Sequence, residues 1–337
     1  MAPGPPREDE KLKILVTGGA GYVGGTVAQL LMDSGHNVVI VDNLCHGHRS
    51  LVPKGARFEE LSIEDRPAIE KLFREGGFDG VMHFAALIEA GESMKRPEIY
   101  FRNNSASTLA LLEAMLATGV TRLVFSSTAA VYGEPRSTPI LEDAPLEPTN
   151  AYGESKLIVE QMLGWLNRVH GFRYASLRYF NVAGAAFGRG EAHEPESHLI
   201  PLILDVALGR RKSIKIFGQD YPTKDGTCIR DYVHVADLAR GHLMAFEALA
   251  SRDKLIYNMG NGRGFTVREV IESVKRVTGR PIEVIEEPRR PGDPAVLVAS
   301  SDKIARELGW RPEFDQVDAI IESAWKWHQQ RYQRTVD

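Results

Sequence analysis

Apolar residues gather first in two short runs, Leu-Lys-Ile-Leu-Val-Thr at 12–17 and Asn-Val-Val-Ile-Val-Asp at 37–42, both rich in β-formers. Between them Val23, Val27, Leu30 and Leu31 recur on one helical face that begins after Tyr22. Strand, helix and strand in so short a span make a βαβ unit. The same pattern predicts strands at 80–84, 121–126 and 173–178, with helices at 66–75, 99–117 and 150–169. Runs this apolar suit a parallel sheet covered on both faces.

After Phe180 the alternation weakens, and Gly, His, Glu and Pro concentrate at 184–198, a boundary segment able to carry ligand contacts. A helix is predicted at 198–208, a strand at 213–217, turns through 218–229, then a helix at 234–249 and a strand at 255–259 that could return to the main sheet. The rest reads as a smaller α+β region ending near Trp325 and followed by a charged tail. The expected fold class is therefore α/β, a Rossmann-type domain with a smaller α+β substrate-binding domain, two lobes around a cleft. The expected division is a tail at 1–10, a first domain at 11–180 joined by 234–260, and a second from 181–233 and 261–330.

Charge and cysteine content narrow the function classes. Among 337 residues, 41 Lys and Arg face 45 Asp and Glu, a net charge of -4 that gives no general reason to expect a nucleic-acid or anionic-membrane partner. Two cysteines, Cys45 and Cys228, supply neither a disulfide framework nor a zinc cluster, and the histidines look dispersed, so no metal is expected. The Pro-rich, charged start lacks the apolar centre of a secretory signal, and no apolar run approaches membrane-spanning length; a cytoplasmic setting is the expectation.

The first strand runs directly into Gly18-Gly19-Ala20-Gly21-Tyr22-Val23-Gly24. Gly18 permits a tight turn, Gly21 removes a side chain near a pyrophosphate, and Gly24 lets helix and sheet pack closely. The helix start then offers unsatisfied N–H groups to phosphates. Asp42, ending the second strand, can accept from ribose hydroxyls and favours NAD over NADP, whose extra phosphate it would repel.

Ser126-Ser127-Thr128 closes a central strand, and Tyr152 and Lys156, four apart, share a helix face. A nearby lysine charge would favour tyrosinate, and a tyrosine of lowered pKa can exchange a proton with a sugar hydroxyl. Thr128 can orient that oxygen. Asn103, early in the 99–117 helix, can support the architecture beside the nicotinamide or the base.

These motifs resemble the extended short-chain dehydrogenase/reductase superfamily and, within it, the UDP-glucose/UDP-galactose 4-epimerase family. The resemblance rests on GGAGYVG, DNLCHGHRS, HFAA, FSSTAAVYG, AYGESK, RYFNVAGA, HLIP at 198–201, the block 217–239 and Gly-Asp-Pro at 292–294, in the family's order. It implies that Thr128, Tyr152 and Lys156 are catalytic. It places Tyr22, Val23, Asp42, Asn43, His46, Ile63, Phe84, Ala85, Ala86, Asn103, Ser126 and Tyr179 around NAD. For the nucleotide sugar it implies Asn181, His198, Leu199, Phe217, Arg230, Arg290, Asp293 and Leu297. Homodimerisation through the 99–117 and 150–169 helices is a further implication.

Three positions depart from the family's habit. Leu87-Ile88 stands where Leu-Lys is common, Ser62-Ile63 where an acid precedes the isoleucine, and Thr128 where serine is frequent. Ala129-Ala130 follow Thr128, whereas related 4,6-dehydratases place acidic groups there, which argues for epimerisation. Leu297, at the position that limits a 2-acetamido group, leaves UDP-N-acetylglucosamine/UDP-N-acetylgalactosamine as an alternative substrate pair. A non-catalytic NAD- and UDP-sugar-binding protein is the alternative from another functional class.

Overall fold

The computed structural model describes residues 11–290 and 293–333, so the expected tail at 1–10 and Gly292 of the Gly-Asp-Pro motif lie outside the described residues. Strands β1 (Lys13–Thr17), β2 (Asn37–Asp42), β3 (Arg57–Glu60), β4 (Gly80–His83), β5 (Arg122–Thr128) and β6 (Arg173–Tyr179) join the strand Lys254–Met259 in one sheet. Its order is Lys254–Met259, β6, β5, β4, β1, β2, β3, and all seven strands run parallel. β1 pairs β2 on one side and β4 on the other, so the order reverses beside it and opens a crevice at the strands' carboxyl ends.

Alternation along β1 feeds two cores. Ile14 and Val16 pack with Val27, Leu31 and Phe246 on one face, while Leu15 packs with Phe73, Leu111, Leu112 and Leu163 on the other. A third core, with Ile203, Leu204, Val270, Val274, Ile320 and Ile321, builds the second lobe. There the helix Val267–Thr278 opens on a reciprocal capping box between Thr266 and Glu269.

The structure corrects the sequence expectation at three elements. β3 was not expected because Arg57-Phe58-Glu59-Glu60 offers one apolar side chain; its charged residues suit an edge strand that pairs through the backbone alone. The helix expected at 99–117 is interrupted: Pro97–Tyr100 and Ser107–Ala117 flank a π-helical turn at Phe101–Ala106. Side-chain periodicity carries no mark of such a turn, whose hydrogen bonds differ by one residue. Finally, the chain after Trp325 is helical, in Val317–Gln333, and its charged composition conceals a buried His328 that pairs with Asp205 at 3.0 Å.

Candidate active site

Gly18 begins the turn after β1 at φ +72°, and a Cβ there would lie 2.6 Å from the Ala85 amide nitrogen. A Cβ on Gly24 would collide with the Gly18 carbonyl oxygen. Gly21 differs: a Cβ would meet only that carbonyl oxygen, at 3.3 Å, so space remains above it. Gly21 also caps the helix Tyr22–Asp33 without a side-chain hydrogen bond, which leaves the first-turn N–H groups for an anion.

Asp42 does two jobs at the end of β2. Its carboxylate accepts from the backbone N–H groups of Ala20, at 3.0 Å, and Leu44, at 2.9 Å, which fixes the turn. It also faces the cleft, where burial pushes its pKa up against those hydrogen bonds and the nearby His46. A smaller recess lies beyond it, lined by Asn43, Ile63, Ala85, Ala86 and Asn103 among others. Its mix of apolar and amide side chains is the kind of lining that suits an adenine ring.

The main cleft brings together Gly18, Gly21, Tyr22, Val23, Gly24, Asp42, His46, Phe84, Ala86, Ser126, Thr128, Tyr152, Tyr179, Asn181 and His198. Parallel pairing aligns the strand ends, with Thr128 of β5 opposite Tyr179 of β6. The Ser126 and Tyr179 hydroxyls are hydrogen-bonded. Asn150 caps the helix Ala151–His170 by accepting from the Gly153 N–H at 2.8 Å, which places Tyr152 in its first turn. The Tyr152 N–H donates to Ser93 Oγ at 3.1 Å.

Lys156 is almost wholly buried, and its Nζ donates to the Ser126 carbonyl oxygen at 2.8 Å. Burial lowers its pKa to about 7. Burial also pushes Tyr152 up to about 12, with the Thr128 hydrogen bond acting downward and the Glu89 carboxylate upward. The shift runs opposite to the expected lowering: the lysine hydrogen-bonds a strand carbonyl, and desolvation dominates. A cationic nicotinamide ring beside Tyr152 would act in the missing downward direction, and in that respect the pocket fits NAD in its oxidised form.

Asn104, which sequence reasoning passed over for its neighbour Asn103, links the parts. Its amide nitrogen donates to the Leu87 carbonyl oxygen at 2.9 Å and to Ser155 Oγ at 3.0 Å, and its oxygen accepts from the Leu87 N–H at 2.9 Å. The π-helical turn thus holds the loop after β4 against the helix that carries Tyr152 and Lys156.

Other expected substrate residues form a second group. The Arg290 guanidinium lies 3.9 Å from the Phe217 ring centroid, and Arg230 pairs with Asp293 at 3.5 Å. Arg230 sits opposite Leu297 in a short parallel ladder, and Leu297 packs on the cluster of Tyr132, Phe180 and Ala299. Leu199 opens the helix Leu199–Ala207 and packs on the second-lobe core, outside the main cleft's lining. Asn181 joins the two groups, since its N–H donates to the Asp231 carbonyl oxygen, next to Arg230, at 3.0 Å.

Two of the ten histidines come together in space. Glu191, His193 and His198, from the His- and Glu-rich segment at 184–198, converge on the cleft wall. For His198, burial is outweighed by Glu196 and Glu191, and its pKa rises to about 8.

The NAD dependent epimerase/dehydratase family matches residues 14–260. The chain belongs to that family. It is 55% identical over 317 residues to a UDP-glucose 4-epimerase of Streptomyces lividans, covering 94% of this chain and 96% of the relative. Among solved structures, UDP-glucose 4-epimerase from Brucella ovis in complex with NAD superimposes with a TM-score of 0.91 at 42% identity, covering 94% of this chain and 98% of the other. The Bifidobacterium longum UDP-glucose 4-epimerase in complex with NAD+ and UDP gives 0.90 at 37%, covering 95% and 99%.

Proposed function

We infer that this chain is an NAD-dependent isomerase that interconverts UDP-glucose and UDP-galactose at sugar C4. The observation that carries the reading is the placement of Thr128 and Tyr152 on the wall of the same cleft whose base is the glycine turn, in a chain 55% identical to a UDP-glucose 4-epimerase.

The site residues are assigned roles on that basis. Bound NAD supplies the hydride acceptor for C4 and the donor for the return. Tyr152 takes the proton from the sugar 4-hydroxyl and later gives it back, within reach of Thr128, which holds the oxygen. Lys156, held by the Ser126 carbonyl, fixes the strand end and favours ionisation of Tyr152 when it carries its proton. Between the two transfers the 4-keto sugar turns over while Arg230, Arg290 and Asn181 keep the diphosphate anchored. The second group around Phe217, Asp293 and Leu297 receives the nucleoside and limits the sugar. In this reading 181–233 and 261–330 form the nucleotide-sugar part, and 11–180 with 234–260 the NAD part.

Incubation with UDP-galactose, with and without added NAD+, is expected to yield UDP-glucose on chromatography. No product with NAD+ present would overturn the assignment. Faster turnover of UDP-N-acetylgalactosamine in the same assay would shift it to the acetylated pair.

A homodimer is proposed through the helices Ser107–Ala117 and Ala151–His170. Leu109, Trp165 and Val169 are 40%, 61% and 66% exposed, an apolar set large for a free surface. Trp165→Asp is expected to halve the mass seen by sedimentation; an unchanged dimer would move the interface elsewhere. A cytoplasmic setting is supported by the two unpaired cysteines.

A further inference from the structure

We propose that Glu191, His193 and His198 form a binding site for a divalent transition-metal ion of the zinc class, with its open coordination position turned toward the diphosphate region of the cleft. The donor set is two imidazoles and one carboxylate, a combination suited to borderline ions of this kind. One ligand atom from each residue lies within 4.8 Å of the other two. His193 Nδ1 is 2.5 Å from Glu191 Oε1, and His198 Nδ1 is 3.9 Å from Glu191 Oε2. Ligands at about 2.0–2.2 Å from a tetrahedral ion stand roughly 3.3–3.6 Å apart. The two separations to Glu191, one to each of its oxygens, lie on either side of that value, and the third lies within 4.8 Å, so shifts of about an ångström to an ångström and a half complete the geometry.

The site is built into the fold. The Trp327 indole N–H and the Arg331 guanidinium donate to the Glu191 carbonyl oxygen, and Arg331 also donates to the Ala192 carbonyl oxygen at 3.2 Å. A Cβ on Gly190 would overlap the Trp327 ring, so the segment lies tight on the last helix. His48, from the loop after β2, also contacts the Ala192 carbonyl oxygen, at 2.8 Å. The three ligand side chains are thereby aimed from a fixed backbone into the main cleft, beside Asn181 and Val182. Glu196 Oε1 lies 2.8 Å from the same His198 Nδ1, so an ion takes that nitrogen in exchange for this hydrogen bond.

Three protein ligands leave one position of a tetrahedron, and a phosphoryl oxygen can fill it. The ion and a nucleoside diphosphate should then strengthen each other's binding by the same factor. That coupling rests on the UDP-sugar reading of the cleft, whereas ion binding itself does not.

The test uses untagged full-length protein titrated with Co2+. One equivalent is expected to bind, with the visible absorption of a four-coordinate cobalt site and no thiolate charge-transfer band. His193→Ala should weaken binding by more than tenfold, beyond the roughly 10–100-fold range's lower end known for losing an outer partner. Glu191→Gln, checked by circular dichroism, serves if the alanine variant fails to fold. Added UDP should shift the band and tighten Co2+ binding. Absence of stoichiometric binding, binding unchanged in both variants, or a thiolate band that places the ion on Cys45 would overturn the site. Co2+ binding that ignores UDP would overturn the open position alone, and it would do so whether or not the epimerase assay succeeds.

Discussion

Tyr152→Phe is expected to lower kcat by about 10²–10⁴-fold, the usual worth of a positioned acid–base group, with little change in KM or in bound NAD. The phenyl ring keeps the packing of a half-buried side chain in the first turn of its helix and removes only the hydroxyl beside Thr128. Steady-state kinetics with UDP-galactose, together with the nucleotide content of the purified variant, checks it. A loss under tenfold would move the proton transfer to another group. The wild-type pH profile carries the same assignment. Burial raises Tyr152 to about 12 and lowers Lys156 to about 7, so the base form grows with rising pH while the lysine charge is lost above about 7. If tyrosinate is the limiting species, kcat/KM should climb from about pH 6 to about 9. A fall over that range would make the Lys156 cation the limiting group.

Glu160→Ala is expected to cost about 3–5 kcal/mol of folding free energy, the largest stability effect of any single change considered. Arg178 and Glu160 are both buried, their charged ends 2.5 Å apart, and the same carboxylate accepts from the Arg178 Nε at 3.0 Å and from Ser127 Oγ at 2.6 Å. Arg178 further donates to the Tyr132 hydroxyl at 2.9 Å and the Glu142 carbonyl oxygen at 3.1 Å. Removing the carboxylate leaves a guanidinium buried without its counter-charge. Chemical denaturation of the variant checks the loss. The double change Glu160→Leu with Arg178→Met should recover most of it, because the pair is costly to break and not costly to replace. No recovery would mean that the hydrogen bonds to Tyr132 and Glu142 matter more than the charge balance.

The parallel core was legible because β1, β2, β4, β5 and β6 announce themselves as apolar runs, and the strand at Lys254–Met259 does too. β3 was hidden because a strand at the edge needs no apolar face. The π-helical turn was hidden because it changes backbone pairing without changing residue type, and with it the role of Asn104. Near the reaction centre, Gly18, Gly24, Thr128 and Tyr152 were legible as residue types at fixed spacing. What spacing could not supply was the direction of the Tyr152 shift. That depends on how deeply the ring is buried and on Lys156 pointing to the Ser126 carbonyl. The segment at 184–198 stood out for its His and Glu content, but the convergence of Glu191, His193 and His198 was not readable, since it depends on how Trp327 and Arg331 hold the chain from the far end of the sequence.

The partner of β6 in the sheet is made last. Lys254–Met259 pairs with β6 from Tyr174 to Tyr179, yet the chain from Asn181 to Asp253 must be synthesised before it arrives. Until then β6 presents an open backbone edge to the solvent, the kind of edge that recruits other chains. A ribosome stalled within that segment, or a truncation placed there, would release a chain with most of its nucleotide-binding motifs and an adhesive border. Expression of the first half alone should therefore end in aggregates, and any attempt to isolate it as a minimal NAD-binding module should carry Val235–Met259 along, fused after Tyr179.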